Sequence, residues 1–189
     1  MGETAKKRKK RKKNGVLRDV ISFSIYLLSV LILTYLVITF VVQRTVVSGD
    51  SMSPTLSDGD NILVGKLDYR FRTPKRFDVV VFPYSYEKNT YYIKRIIGMP
   101  GETVTINERG EIFINDQKLD ETYGAEVIRN PGMALDNVYL KSDEYFVLGD
   151  NRNHSSDSRD PSIGPVKADD IVGKAIFRTY PFSGWGSVK

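Results

Sequence analysis

The amino-acid sequence predicts a mainly β protein, with one N-terminal transmembrane helix followed by a compact antiparallel β-rich domain. Two observations support this. The 24 residues from Val20 to Gln43 carry no charge, and at about 1.5 Å per residue they can cross a hydrocarbon core about 30 Å thick. From Thr45 onward the apolar runs are short and are separated by Gly, Pro, Asn or Asp, a pattern typical of strands and turns.

The β-rich part contains seven predicted strands and no sustained helical periodicity. A hairpin is expected after Asn107, with Gly110 suited to a turn position of positive φ. The predicted strands are Asn61–Lys66, Phe77–Phe82, Tyr91–Gly98, Thr103–Asn107, Glu111–Ile114, Glu144–Leu148 and Ile171–Thr179.

Positive charge is concentrated at the N-terminus. The chain has 28 Lys and Arg against 23 Asp and Glu, a formal net charge of +5. Eight of the basic residues form an unbroken run from Lys6 to Lys13, and the only acid of residues 1–16 is Glu3. A run of like charges repels itself, so a disordered interaction arm is expected here, while the rest of the chain is close to neutral.

These patterns divide the chain into a basic cytoplasmic tail (1–18), a transmembrane anchor helix (19–43) and an extracytoplasmic β-rich domain (44–189). Nine Lys or Arg precede the span, whereas only Arg44 lies in the dozen residues after it. The positive-inside rule therefore places the N-terminus in the cytoplasm and the β-rich domain on the far side of a single-pass anchor.

Two other interpretations of the N-terminus compete with an anchor. A cleavable signal peptide has a shorter apolar stretch, about 7–15 residues, that ends in small residues. Here the stretch is longer and runs into Val42-Gln43-Arg44-Thr45. The basic run could also bind nucleic acid, but beside a membrane span it is better suited to anionic lipid headgroups, and no nucleic-acid partner is expected.

Residue counts exclude several kinds of chemistry. The chain has no cysteine, which rules out disulfides, thiolate metal sites and cysteine nucleophiles. Its one histidine, His154, cannot form a multi-histidine metal site. We therefore expect neither a metal nor a cofactor.

A loop rich in small hydroxyl residues follows the anchor, with the sequence Ser48-Gly49-Asp50-Ser51-Met52-Ser53-Pro54-Thr55-Leu56. Its glycine and proline impose an irregular backbone that would suit a nucleophile held at a bend. An ordinary solvated loop has the same composition. The spacing alone does not choose among Ser48, Ser51 and Ser53.

A serine nucleophile needs a base, and the chain offers His154 or a lysine. Lys94 and Arg95 lie side by side in the apolar run 91–98. In a strand they point to opposite faces, so one of them must face any buried side. Arg does not give up its proton, but burial can lower the pKa of Lys toward neutrality. The alternative is an edge strand with both side chains lying along the surface.

A third polar stretch, Gly149 to Arg159, follows the predicted strand 144–148 and is dense in hydrogen-bonding side chains. It could organise a site from behind. As a solvated turn cluster it would contain only a surface ion pair between Asp157 and Arg159, worth about 0–1 kcal/mol.

Together these stretches resemble type I signal peptidases of the Gram-positive kind, which are serine proteases with a Ser–Lys dyad. The similarity extends from about residue 15 to about residue 182. It is carried by Ser-Gly-x-Ser-Met-x-Pro-Thr-Leu at 48–56, by the strand at 76–82, by Tyr-Ile-Lys-Arg-Ile-Ile-Gly-Met-Pro-Gly-Glu at 92–102, and by Gly-Asp-Asn-Arg-x-x-Ser-x-Asp-Ser-Arg at 149–159.

The resemblance implies a signal-peptidase-like catalytic domain with Ser51 as nucleophile and Lys94 as general base. Ser155 matches the serine that hydrogen-bonds the lysine amine. The oxyanion would depend on the Ser51 backbone N–H and on the Gly49 region, because Gly49 offers no side chain. The residues that match supports of the site are Asp150, Asp157 and Arg159.

The resemblance also implies the biological setting. The substrates would be secreted preproteins with signal peptides, cut at the cell membrane beside the lipid bilayer and near the secretion translocon, without a cofactor. Two alternatives remain: a protease that pairs Ser51 with His154, and an anchored non-catalytic β-domain that binds envelope proteins.

Overall fold

A computed structural model describes residues 2–37, 41–84 and 90–189. They fall into two units, residues 1–41 and 42–189. The first unit contains the helix α1, Gly2–Leu36. Its part from Arg18 to Leu36, 19 residues long, has the length and apolar composition needed to cross a membrane.

Helix α1 differs from the sequence prediction at both ends. It includes the basic tail, for which disorder was expected; Lys and Arg are good helix formers and extend the helix that follows them. At the other end, residues 38–40 of the predicted anchor (19–43) lie outside the described residues, and residues 42 and 43 belong to the first strand.

The second unit is antiparallel β, with one short helix, α2, at Asp68–Phe71. Its strands are β1 Val42–Val46, β2 Asn61–Gly65, β3 Val79–Pro83, β4 Tyr91–Gly98, β5 Thr103–Ile106, β6 Ile112–Ile114, β7 Gln117–Lys118, β8 Val138–Tyr139, β9 Glu144–Leu148, β10 Val166–Lys167, β11 Gly173–Tyr180 and β12 Gly186–Ser187. Short 3₁₀ turns occur at Gly132–Leu135, Ala168–Asp170 and Phe182–Gly184.

The predicted fold class is confirmed, and each of the seven predicted strands is present. The strands that the sequence did not predict are β1, β7, β8, β10 and β12. Four of these five have only two residues, too few for an alternating pattern to appear. Strand β1 was hidden because its apolar residues continue the uncharged run of the anchor.

Two sheets make up this unit. The larger has the order β1-β2-β11-β3-β4-β9-β10, with β12 paired to β11, and the smaller has the order β7-β6-β5-β8. Strand β4 therefore lies between β3 and β9 rather than at an edge. Its apolar residues join three different buried clusters, through Ile93, Ile96 and Ile97. Both faces of β4 are covered by core.

The end of β4 is closely packed where it passes toward the smaller sheet. A Cβ on Gly98 would lie 2.5 Å from Cγ2 of Val104, 2.7 Å from Cδ1 of Leu140 and 2.9 Å from Cβ of Phe146. These neighbours are themselves buried. Only glycine therefore fits at position 98 without displacing its neighbours.

Substituting Gly98→Ala should lower the free energy of unfolding by about 1–3 kcal/mol, because a methyl group must displace well-packed neighbours. Denaturant titration of the detergent-solubilised chain, followed by circular dichroism, measures the change. The matched control is Ser187→Ala on the exposed end of β12, which should leave the midpoint unchanged. Equal stability of Gly98→Ala and wild type would show that this junction has spare room.

Candidate active site

The loop between β1 and β2 carries the predicted nucleophile. Backbone hydrogen bonds close its base, from Val47 N–H to Asp60 O and from Gly59 N–H to Val47 O. Met52 and Leu56 are buried, at 1% and 0% exposure, in the cluster beneath the loop. Burial of these two side chains fixes the loop and leaves Ser51 partly exposed between them and the solvent.

Lys94 meets this loop from β4. Its Nζ lies 2.7 Å from Oγ of Ser51 and donates a second hydrogen bond to the carbonyl of Ile93 at 3.1 Å. The amine also lies 5.0 Å from the centre of the Tyr92 ring. The structure thus joins the serine and the lysine that the sequence singled out, 43 positions apart in the chain.

Burial sets the protonation of Lys94. The residue is only 3% exposed, and loss of solvent around the ammonium lowers its pKa from 10.5 to about 8, although the carboxylates of Asp157 and Asp150 act in the opposite direction. Desolvation disfavours the charged form more strongly than these acids favour it. An appreciable share of the amine is therefore neutral near physiological pH.

Arg95, the neighbour of Lys94, is also fully buried, whereas the sequence argument required only one of the two cations to face a buried side. Its Nε and Nη2 donate to the two carboxylate oxygens of Asp150 at 2.8 and 2.7 Å, and both side chains have 0% exposure. The guanidinium stacks on Tyr123, 3.8 Å from the ring centre, and donates to the carbonyl of Phe77. Two covered faces of β4 explain why both cations are buried.

Asp150 also connects the nucleophile loop to the loop that follows β9. Its Oδ2 accepts a 2.6 Å hydrogen bond from the hydroxyl of Thr55. Next to it, the Asn151 N–H donates to Ser51 O, and Nδ2 of Asn151 donates to Asp50 O, each at 3.1 Å. The two loops are therefore held together on both sides of Ser51.

Asp157 and Arg159 form a buried pair rather than the surface ion pair considered above. The guanidinium donates to both carboxylate oxygens at 2.8 Å, and the two side chains are 0% and 8% exposed. Arg159 also donates to the carbonyl of Arg152, and the Gly149 N–H donates to Asp157. This pair fixes the curvature of the loop from Gly149 to Arg159.

Ser155 lies close to the dyad but is not bonded to it. The hydrogen bond that the resemblance implies between Ser155 and Lys94 is not seen, since the amine is engaged by Ser51 and Ile93. Oγ of Ser155 is buried without a partner among the described residues. A Cβ on Gly149 would lie 2.2 Å from this oxygen and 2.4 Å from Ser51 O, so glycine allows the two loops to approach.

Backbone donors are available at the nucleophile. The Ser51 N–H makes no hydrogen bond to the part of the chain that the structure describes. Gly49, two residues earlier, has φ of 84° and donates its own N–H to Asp58. A left-handed backbone at Gly49 turns the chain immediately before Ser51, and the free N–H is suited to an oxyanion.

His154, the alternative base, is exposed, and its imidazole makes no hydrogen bond within residues 41–84 and 90–189. It lines the mouth of the cleft above the dyad. This cleft has a volume of about 600 Å³. Its walls are residues 45–52, 90–94, His154 and Ser156.

The arrangement suits acyl transfer without a metal ion. A hydroxyl, an amine with lowered pKa and a free backbone N–H meet at one open cleft, and they supply a nucleophile, a base and an oxyanion donor. In the described ranges no three His, Cys, Asp or Glu side chains are grouped so that they could hold a metal ion.

Comparison with known proteins identifies the family. The model of the family described as signal peptidase, peptidase S26, matches residues 20–180. The chain belongs to this signal peptidase family. The match includes the nucleophile loop, β4 and the loop from Gly149 to Arg159.

Three relatives show the extent of the similarity. Probable signal peptidase I-1 of Synechocystis sp. is 36% identical over 149 residues, 75% of this chain and 73% of the relative. Signal peptidase I P of Bacillus subtilis subsp. natto is 37% identical over 151 residues, 76% and 80% of the two chains. Signal peptidase IB of Staphylococcus aureus is 35% identical over 152 residues, 72% and 77%.

A solved structure, a signal peptidase I from Enterococcus faecalis, also matches. It is 31% identical and covers 55% of this chain and 97% of its own, with a TM-score of 0.44. That score is too low to establish a shared fold.

Three residues that were not predicted as site residues also contribute to the geometry of the active site: Thr55, Arg95 and Asn151. Sequence reasoning assigned Arg95 to the face opposite the site and gave Asp150 no partner. Two features of the sequence could have indicated the Arg95–Asp150 contact. One is an arginine inside an apolar predicted strand, and the other is an acid without an assigned partner in the third polar stretch. Thr55 and Asn151 lie in the motifs at 48–56 and 149–159, but their hydrogen bonds to the facing loop depend on tertiary structure.

Substituting Arg95→Met should lower the free energy of unfolding by about 3–5 kcal/mol, since it leaves the Asp150 carboxylate buried without its partner. Denaturant titration in detergent measures this. The control is Lys118→Met, which breaks an exposed pair with Glu111 and should cost about 1 kcal/mol or less. If the two variants proved equally stable, Arg95–Asp150 would not be the central contact of the site.

Proposed function

We propose that this protein is a membrane-anchored serine endopeptidase that removes signal peptides from preproteins, with Ser51 as nucleophile and Lys94 as general base. One observation carries the assignment of roles: the buried Lys94 amine, with its pKa lowered to about 8, lies 2.7 Å from the Ser51 hydroxyl. A base must be both within hydrogen-bond reach and deprotonated near working pH. Family membership supports the same assignment.

Acylation begins when the neutral amine of Lys94 accepts the hydroxyl proton of Ser51. The serine oxygen then bonds to the carbonyl carbon of the scissile peptide, and negative charge develops on the carbonyl oxygen. Collapse of this intermediate breaks the C–N bond. The Lys94 ammonium returns its proton to the leaving amine, so the mature protein departs and the signal peptide remains as an ester of Ser51.

Deacylation repeats these steps with water. Lys94, neutral again, accepts a proton from a water molecule whose oxygen attacks the ester carbonyl. The C–O bond to Ser51 breaks and the serine oxygen regains a proton from Lys94. In both halves of the reaction the Ser51 N–H is the proposed oxyanion donor, and the turn at Gly49 directs it.

The supporting residues act on position rather than on the reacting atoms. Asp150 holds Arg95 and Thr55, which keeps the nucleophile loop against β4. Asp157 and Arg159 hold the loop that carries Ser155. We assign Ser155 the role of orienting the Lys94 amine after a rotamer change, because its buried hydroxyl has no other described partner.

The proposed substrate enters the cleft as an extended segment, with small residues at the first and third positions before the scissile bond. The cleft lies between the end of β1 and residues 90–94, which include the start of β4. Strand β9 pairs with β4 only from Arg95 onward, so within the described ranges one backbone edge of residues 91–94 has no strand partner. An extended peptide can bind such an edge by strand addition.

The proposed setting is the cell membrane. The basic tail would be cytoplasmic, the apolar part of α1 that ends at Leu36 would lie in the single-pass anchor, and the unit from Val42 to Lys189 would be the extracytoplasmic catalytic domain, as the charge asymmetry favours. The bilayer holds both the enzyme and the apolar segment of its substrate, which raises their effective concentration. Preproteins would arrive from a secretion translocon nearby.

Replacing either member of the dyad should abolish cleavage. We expect Ser51→Ala and Lys94→Ala each to lower kcat/KM by about 10⁴-fold or more, the usual effect of losing a nucleophile or its base. The assay is cleavage of a preprotein by the detergent-solubilised chain. His154→Ala is the matched control and should retain activity. Full activity of Ser51→Ala would instead favour an anchored, non-catalytic binding domain.

The pH dependence should report the Lys94 amine. The protonated amine cannot accept a proton, so kcat/KM is low below its pKa, rises as pH passes about 8 and levels off above it. Initial rates between pH 5 and 10 test this, and the acid limb should persist in His154→Ala. A limb near the ordinary histidine pKa of about 6.5 that disappears in that variant would assign the base to His154.

A further inference from the structure

Helix α2 presents an apolar and basic surface that lies outside the catalytic machinery. Phe71 is 82% exposed, the highest value among the large apolar side chains described. Arg70 and Arg72 flank it, Lys75 follows, and all three are exposed. These four residues are here named the α2 patch.

The residues on either side of Phe71 fix its exposure. Tyr69 packs against the cluster under β3 and β4, and its hydroxyl donates to Asp78 at 3.0 Å. Pro74, on the other side, is buried. With both flanks attached to the domain, the backbone holds Phe71 away from the core, and no buried residue belongs to α2.

The bases of the α2 patch are available for another partner. Within the described residues, neither Arg70, Arg72 nor Lys75 forms an ion pair. Of the acids nearby, Asp78 pairs with Lys174, while Asp68, the first residue of α2, lies over Gly65. The patch therefore combines one exposed aromatic ring with three exposed basic side chains, against the single acid Asp68 on α2.

The α2 patch follows the strand pair with which the second unit begins. Helix α2 begins three residues after Gly65, the end of β2, and Gly65 is paired with Val42, the first residue of β1. The apolar stretch of α1 ends at Leu36. Five residues of sequence separate Leu36 from Val42.

We propose that the α2 patch binds the surface of an anionic bilayer, with Phe71 inserted among the headgroups and the three bases against lipid phosphates. Aromatic residues beside Lys and Arg are the combination that interfacial binding requires, and anionic leaflets attract basic segments close to a membrane span. The inference rests on the anchor in the proposed function, and it adds a second contact between the catalytic domain and the bilayer.

The absence of cysteine makes a single-site test practical. Phe71→Cys in the full-length chain can be labelled with an environment-sensitive fluorophore and reconstituted into nanodiscs of phosphatidylcholine with or without phosphatidylglycerol. We expect emission at shorter wavelength, and quenching by spin-labelled lipid, in the anionic discs. Adding Arg70→Glu and Arg72→Glu to the labelled chain should remove both effects.

The matched control is Tyr139→Cys, at a side chain 68% exposed on the smaller sheet, whose label should stay in a polar environment in both discs. Equal behaviour of the labels at 71 and 139 would overturn the proposal. So would a shift at 71 that persists without anionic lipid or in detergent, which would indicate contact with a second copy or another protein.

The same labelled chains separate this inference from the proposed function. Preprotein cleavage in detergent should match wild type, since the patch makes no contact with Ser51 or Lys94. If cleavage persists while the label at 71 stays polar, only the bilayer contact fails. If the chain does not remain with the nanodiscs, both the proposed anchor and the proposed bilayer contact of the α2 patch are wrong.

Discussion

The chemistry that we propose for this signal peptidase depends on keeping one amine, that of Lys94, out of water. An exposed lysine is protonated at neutral pH and cannot act as a base; Lys94 is buried in an interior strand, and its pKa falls accordingly. Removing water from an ammonium costs free energy, and a slight opening of the site would let water return. The surrounding contacts must therefore hold the amine against Ser51. The nearby acids Asp150 and Asp157 would favour the charged form, but each is engaged by an arginine.

Those two Asp–Arg pairs explain how three distant segments form one rigid site. Arg95 on β4 holds Asp150 after β9, and Asp150 in turn holds Thr55 in the nucleophile loop. Arg159 shapes the loop that returns past Ser155. Buried charges contribute little net stability but cost much when one partner is lost. Such pairs act as a constraint on geometry, which a site with a 2.7 Å serine–lysine contact requires.

Sequence reasoning predicted the parts of the fold and site that local patterns encode. The longer strands have clear apolar runs, and the chain's resemblance to its family picked out Ser51 and Lys94 before any distance was known. It could not predict that β4 is covered on both faces, because strand order is a long-range property. For this reason the burial of both Lys94 and Arg95 was not predicted, and a surface ion pair was considered for Asp157 and Arg159. The unbonded hydroxyl of Ser155 is likewise a matter of tertiary geometry.

The strand order has a consequence for synthesis. Strand β11, residues 173–180, lies between β2 and β3 in the larger sheet, although it is translated about a hundred residues after them. The sheet cannot close until this late strand arrives, and pairing over such long sequence separation is slow. A partly emerged chain therefore contains Ser51 and Lys94 without their final alignment. Under the proposed mechanism, such a chain would have no activity before β11 is paired.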